Sequence, residues 1–170
     1  MAALAGSVFA QGARSTFTTE RGTQSAEFLA GVTYQHGNEA TDPHYMVRLR
    51  GGLSRYVSGY FDFSYSRPFD SGPTAQPRVR ESLMFFTPGV QLHIPIYKME
   101  PYVIGGLGGA RFRSTVNGGG LEDNRFAQSI GAGVRAYPFR YAGVSVEMRA
   151  IHINGFGWVN QYSAGVFGQF

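Results

Sequence analysis

The chain has 170 residues, a formal charge of +4 and only 15% charged residues, against roughly 25% in a typical soluble domain. This length allows one domain. A mean hydropathy of −0.16, without any apolar run near the roughly 18 residues of a spanning helix, excludes a helical membrane protein. The arginines are scattered rather than clustered, which argues against a nucleic-acid binder, and without cysteine the redox compartment cannot be inferred.

The amino terminus has the composition of a processed secretory segment. Residues 1–10 are apolar and end in Val8-Phe9-Ala10, where the last and third-last positions suit signal-peptidase cleavage before Gln11. We therefore interpret residues 1–10 as the remnant of a signal peptide. The alternative is a short disordered or strand-like terminus. Residues 11–24 are polar and are interpreted as a lead-in to the folded domain, residues 25–170.

From residue 25 onward, apolar and polar residues alternate with a period of two, which predicts one strand after another. The first strand has Phe28 and Val32 on one face, with Glu27 and Thr33 on the other. The fifth strand contains too much glycine for its faces to be assigned. In chain order, the eight predicted strands span residues 26–36, 45–54, 57–67, 79–94, 102–113, 126–137, 143–153 and 162–170.

The predicted connections alternate in length. They are long and polar after odd-numbered strands, at residues 37–44, 68–78, 114–125 and 154–159, and short after even-numbered strands, at 55–56, 95–101 and 138–142. Long loops on one rim and short turns on the other are typical of transmembrane barrels. Aromatic residues gather near the strand ends, as two interfacial girdles require: Tyr34, Tyr45, Tyr56, Tyr65, Tyr97, Tyr102, Tyr137, Tyr141, Trp158 and Tyr162.

The last strand places Tyr162, Val166 and the terminal Phe170 on one face. This resembles the carboxy-terminal signature of bacterial outer-membrane β-barrels. Residues 25–170 as a whole resemble the small eight-stranded barrels related to the membrane domain of outer-membrane protein A and to outer-membrane protein X. The likeness is carried by Phe170 and three segments, Pro101-Tyr102-Val103 through Gly109, Gly131-Ala132-Gly133-Val134-Arg135 and Val146-Glu147-Met148-Arg149.

The resemblance implies an all-β, antiparallel, up-and-down transmembrane barrel of eight strands in the bacterial outer membrane. Such barrels serve mostly as anchors, adhesins or stabilising proteins. The expected partners are outer-membrane lipid, lipopolysaccharide and the barrel assembly machinery. We expect a monomer that has no cofactor and does not bind nucleic acid.

If the apolar faces contact lipid, the polar faces form the lumen. A barrel of about eight strands is only wide enough for its own side chains, and buried charges must be paired. We therefore expect a structural ion-pair network that plugs the lumen. The alternative is a proton or small-solute path, or a gate formed by switching pairs. The predicted network comprises four acids and four arginines: Glu27, Arg48, Arg50, Asp62, Glu81, Arg135, Glu147 and Arg149.

Enzymes exist on this scaffold, but their residues do not match here. One family of lipid A deacylases uses a His-x-Ser pair on a late strand with a downstream Glu, whereas the matching segment reads His152-Ile153-Asn154 and no acid follows it. His44 beside Asp42 is one pair and does not make a metal site. The sequence thus predicts neither a catalytic nor a metal-binding residue.

Three functions remain open from the sequence. The favoured one is a non-catalytic outer-membrane barrel with an envelope role or surface contact through its long loops, where Phe69, Phe156 and Trp158 are the contact candidates. The second is a lipid A- or phospholipid-modifying enzyme on the same barrel. The third is a soluble, lipocalin-like lipid carrier in which the apolar faces point inward and the polar faces point to solvent. The alternation of residues alone does not exclude it.

Overall fold

The computed structural model describes residues 21–35, 41–70, 79–116 and 119–170. They form one closed barrel of eight antiparallel strands in sequence order, in which β1 pairs with both β2 and β8. The described ranges contain no helix that is long and apolar enough to cross a membrane. The strands are β1 (Gln24–Gln35), β2 (Thr41–Gly52), β3 (Val57–Asp70), β4 (Val79–His93), β5 (Met99–Val116), β6 (Gly119–Ala136), β7 (Ala142–Ile153) and β8 (Gly157–Gln169).

Side chains alternate across the barrel wall as the period of two predicts. On β7, Val144, Val146 and Met148 are exposed on the outside, while Glu147 and Arg149 are buried in the lumen. The other strands follow the same rule where they cross the membrane, so the outer wall is an apolar belt and much of the interior is polar. The eight-stranded transmembrane barrel is confirmed. The soluble carrier with its apolar face inward is wrong, because the inward faces carry the charges.

The predicted boundaries of several connections are wrong. Residues 114–125, expected to be a long loop, belong mostly to β5 and β6, which pair from Met99↔Ala136 up to Val116↔Gly119. Residues 154–156 form the whole turn between β7 and β8. The polar composition of these segments resembles a loop because strands that extend beyond the membrane meet water on both faces, and alternation then disappears.

The Gly-rich fifth strand also has a definite facing. Tyr102 and Ile104 are buried inside, whereas Val103, Gly105 and Leu107 are exposed outside. The prediction that Tyr102 belongs to an interfacial girdle is therefore wrong.

Tyr137 likewise lies in the lumen rather than at the interface. Both tyrosine hydroxyls donate hydrogen bonds to buried carboxylates, Tyr102 to Glu147 at 2.8 Å and Tyr137 to Glu100 at 3.1 Å. A phenol that reaches such a partner is stable inside a protein.

The two rims differ in how far the strands extend. Each strand of the β5–β6 hairpin has 18 residues, or about 60 Å at roughly 3.3 Å per residue. With a tilt of about 40°, the hairpin rises about 45 Å along the membrane normal, against an apolar belt about 25 Å tall. It therefore projects roughly 20 Å beyond the belt. We assign this rim to the outside of the cell, since periplasmic turns are short in such barrels.

Candidate functional site: the charged lumen

Arg48 is the centre of the buried ionic network. Its side chain is 0% exposed, and it donates to both carboxylate oxygens of Asp62 at 2.7 and 3.1 Å and to both of Glu147 at 2.6 and 2.9 Å. A third carboxylate, Glu27, lies 3.5 Å away. The planar fork of arginine fits this two-sided, bidentate arrangement.

Arg149 completes the loop-side layer of the network. It donates to Asp62 at 2.5 Å and to Glu147 at 2.9 Å, the same two carboxylates that Arg48 holds. Two cations and two anions therefore alternate around one closed ring of hydrogen bonds. Each charge has opposite charges as nearest partners, which is the condition for keeping ions in a water-poor interior.

A second layer lies nearer the periplasmic rim. Arg50 donates to Glu100 at 2.8 Å and to the Ser25 hydroxyl at 3.0 Å. Arg135 donates to Glu27 at 2.5 Å and to the Gln91 amide oxygen at 3.2 Å. The contact between Arg48 and Glu27 joins this layer to the first.

The ion pairs connect strands that are not neighbours in the sheet. Arg48 on β2 reaches Glu147 on β7, and Arg50 on β2 reaches Glu100 on β5. Arg135 on β6 likewise reaches Glu27 on β1. These pairs cross the lumen and join strands that lie three positions apart around the barrel.

Aromatic rings line the arginines. The Arg135 guanidinium carbon lies 4.9 Å from the Tyr102 ring centroid and 5.6 Å from that of Phe167, and Arg48 lies 5.2 Å from that of Tyr60. Guanidinium groups at this distance are attracted by the ring faces. The rings also occupy space that water would otherwise enter.

Tyr102→Phe is expected to lower the free energy of unfolding by about 1.5–3 kcal/mol, because Glu147 then loses a buried hydrogen-bond donor while the ring remains. Urea unfolding followed by gel mobility measures the change. Tyr45→Phe, on the lipid-facing wall, is the control and is expected to change little. Equal losses in both variants would contradict a special role for the Tyr102 hydroxyl.

An apolar cluster lies in the lumen above the ionic layers. It comes from β4 to β8 and contains Leu83, Phe85, Ala110, Ala127, Ile151, Ile153 and Val159, with Phe112 and Phe156 packed against it. The described lumen thus contains ion pairs at one level and an apolar cluster at the next.

Seven of the eight predicted network residues meet in the lumen. The eighth, Glu81, has its side chain outside the described part of the structure. Sequence reasoning missed Glu100, which is fully buried against Arg50, because residues 95–101 were assigned to a turn. Its position two residues before Tyr102, on the same inward parity, was the available signal.

The loop candidates have different environments. The Phe69 side chain lies outside the described residues. Phe156 packs partly buried against Phe112, with ring centroids 5.6 Å apart, rather than standing free at a loop tip. Trp158 is 52% exposed on the outer wall, where its ring lies 5.0 Å from that of His152. Trp158 therefore keeps the geometry of an interfacial aromatic residue.

The three residues of the carboxy-terminal signature, Tyr162, Val166 and Phe170, are all exposed on the outer wall. Within the described ranges, no group of three or more His, Asp or Glu side chains is arranged to hold a metal ion.

No protein-family model and no curated protein matches the chain. Solved structures do. Neisserial surface protein A superimposes with a TM-score of 0.70 at 12% identity, covering 87% of this chain and 96% of that one. Ail, the attachment invasion locus protein of Yersinia pestis, gives 0.66 at 13% identity, covering 88% and 99%.

A third similar structure is the outer membrane enzyme PagL, with a TM-score of 0.53 at 20% identity, covering 84% of this chain and 97% of that one. At such identities the likeness establishes architecture, which in this chain is a closed barrel of eight antiparallel strands. The chain has the fold of the small eight-stranded bacterial outer-membrane β-barrels.

Proposed function

We propose that this protein is a non-catalytic integral protein of the bacterial outer membrane with a closed lumen and an envelope-stabilising or surface-contact role. The observation that carries the proposal is the pairing of Arg48 with Asp62 on the adjacent strand and with Glu147 across the barrel. Described lumen residues supply four arginines and four carboxylates in two layers. Such a set balances its own charge and does not need a transported ion to complete it.

The surface-contact part of the proposal rests on the projecting β5–β6 hairpin. Leu121 is 78% exposed there, and the neighbouring charges Arg111, Arg113 and Glu122 are also exposed. A hairpin whose strands remain paired beyond the membrane offers a preformed surface to lipopolysaccharide or to another cell. We further propose that the protein acts as a monomer and enters the membrane through the barrel assembly machinery.

Planar-bilayer recording tests the closed lumen. The purified protein is expected to give no steady conductance in neutral-lipid bilayers at moderate voltage. Insertion is verified by recovering the protein from the membrane in its heat-modifiable, folded form. A reproducible ohmic channel from folded protein would overturn the proposal.

A lipid-modifying enzyme is the second candidate, favoured by His152 on the outer wall beside Trp158 and by the shared fold with PagL. Incubation with lipid A and with phospholipid in vesicles, followed by mass spectrometry, tests it. We expect no release of acyl chains. Turnover that disappears in His152→Ala but persists in His93→Ala, a lumen histidine, would favour the enzyme instead.

A further inference from the structure

The outer wall carries a groove on one side of the barrel. Its floor contains three small outward-facing residues on successive strands, Gly105, Ala132 and Ala150, and Met148 and Tyr162 stand along its edge. The groove encloses about 710 Å³ and its lining is predominantly apolar. It lies in the lipid-facing belt, where the natural occupant is an acyl chain.

The groove rises toward the extracellular rim. Gly105 pairs with Ile130, Ile130 with Ala150, and Ala150 with Asn160, which makes one continuous row across β5 to β8. Gly105 lies six residues above the periplasmic start of β5, whereas Asn160 lies three residues from the extracellular start of β8. An acyl chain in the groove therefore points its head group toward the outside.

The upper end of the groove is polar and aromatic. Gln128, His152 and Trp158 are register partners in the next row up, with Gln128↔His152 and His152↔Trp158, and Asn160 lines the groove itself. Amide and imidazole groups can form hydrogen bonds with the ester, amide and sugar groups of a lipid. Trp158, the single tryptophan of the chain, lies where the apolar groove meets this polar row.

Two arginines lie above this row on the same outer face. Arg111 is six residues beyond Gly105 on β5, about 20 Å along the strand, and Arg113 follows two residues later. Both contact Glu122, Arg113 at 3.5 Å. The hydrogen bond from Arg111 lowers the pKa of Glu122, so the trio carries a net charge of +1. Five N–H donors on each guanidinium leave donors for a phosphate.

We infer that this face binds one molecule of a phosphorylated glycolipid of the lipid A class, with an acyl chain in the groove and a phosphate at Arg111 and Arg113. The inference deepens the contact with lipopolysaccharide proposed above and rests on it. A broad groove below two neighbouring cations suits a lipid that has several chains and two phosphates. Phosphatidylglycerol fits this surface less well, because it offers only one phosphate. A second copy of the barrel also fits less well, because a twofold axis would bring four arginines of like charge together.

Displacement of a quenching lipid tests the inference through Trp158. The protein is reconstituted into vesicles of phosphatidylcholine with brominated chains, which quench tryptophan on contact, and unbrominated lipid A is added. Lipid A is expected to restore fluorescence at a mole fraction about tenfold lower than phosphatidylglycerol, a difference of about 1.4 kcal/mol, because its second phosphate reaches the second arginine. Equal potency of the two lipids would overturn the inference.

Paired variants identify the two halves of the site. The double variant Arg111→Gln/Arg113→Gln is expected to lose the tenfold preference, whereas Arg140→Gln, an exposed arginine at the opposite rim, is expected to keep it. Gly105→Leu is expected to weaken displacement, and Gly59→Leu on β3 is its control, since an added Cβ meets nothing within 4 Å at either glycine.

An unchanged preference in the double arginine variant would overturn the inference. The inference would also be overturned if Gly105→Leu and Gly59→Leu weakened the displacement by lipid A equally. Heat-modifiable migration and conductance are recorded on the same samples. A folded, closed barrel without lipid A preference would therefore reject this site and leave the closed lumen of the proposed function standing.

Discussion

Arg48→Met is expected to lower the free energy of unfolding by about 3–5 kcal/mol, the usual cost of breaking a buried ion pair by removing one partner. Methionine keeps much of the volume but leaves Asp62 and Glu147 without the cation that bridges them. Arg149 alone then faces two carboxylates in a water-poor lumen. Urea unfolding in lipid vesicles, followed by the loss of the fast-migrating folded band, measures the change.

Two controls make the Arg48 result specific. Arg55→Met removes an exposed arginine from the turn between β2 and β3 and is expected to change stability by less than about 0.5 kcal/mol. Adding Glu147→Gln to Arg48→Met removes one of the orphaned charges, so the double variant is expected to lose less stability than the sum of the single variants. Strict additivity would contradict a coupled network.

Gly108→Ala is expected to destabilise the barrel by about 3 kcal/mol or more, or to prevent closure, because overpacking against a fixed backbone cannot be relieved by a rotamer change. A Cβ added at Gly108 would lie 1.9 Å from the Phe86 carbonyl oxygen on β4. Glycine at this position permits the close approach of β4 and β5. Refolding yield into detergent micelles and urea stability both report the effect.

Gly105→Ala provides the matched control on the same strand. An added Cβ there meets nothing within 4 Å, so stability is expected to change by no more than about 0.5 kcal/mol. Equal behaviour of the two variants would show that β5 tolerates side chains on both faces, contrary to the geometry of its lumen side.

The facing of most strands could be predicted from the sequence because each strand touches two different media. Hydrocarbon selects Val144 and Val146 on one side of β7, and the lumen selects Glu147 and Arg149 on the other. The alternation of apolar and polar residues alone thus identified residues that are far apart in the sequence and come together only in the folded barrel. It did not say which arginine pairs with which carboxylate, because partners such as Arg48 and Glu147 are 99 residues apart.

The wrong predictions concern segments that do not have hydrocarbon on one face and the lumen on the other, or that have no clear alternation. The upper parts of β5 and β6 stand in water, so their polar residues were assigned to a loop. Residues 95–101 were assigned to a turn, which hid Glu100, and the glycines in the middle of β5 left the inward position of Tyr102 without a clear pattern. Phe156 was expected at an exposed tip because sequence does not reveal that a short turn folds it against Phe112.

Spin-label scanning tests most directly that the apolar faces contact lipid and the charged faces line the lumen. The chain has no cysteine, so single cysteines can be introduced at Val144, Val146 and Ala164 on the outer face and at Ser145 and Ser163 on the inner face. In vesicles, labels at the outer positions should collide freely with dissolved oxygen, and those at the two serines should be shielded and immobilised. High oxygen accessibility at Ser145 and Ser163, with low accessibility at Val144, Val146 and Ala164, would contradict the account.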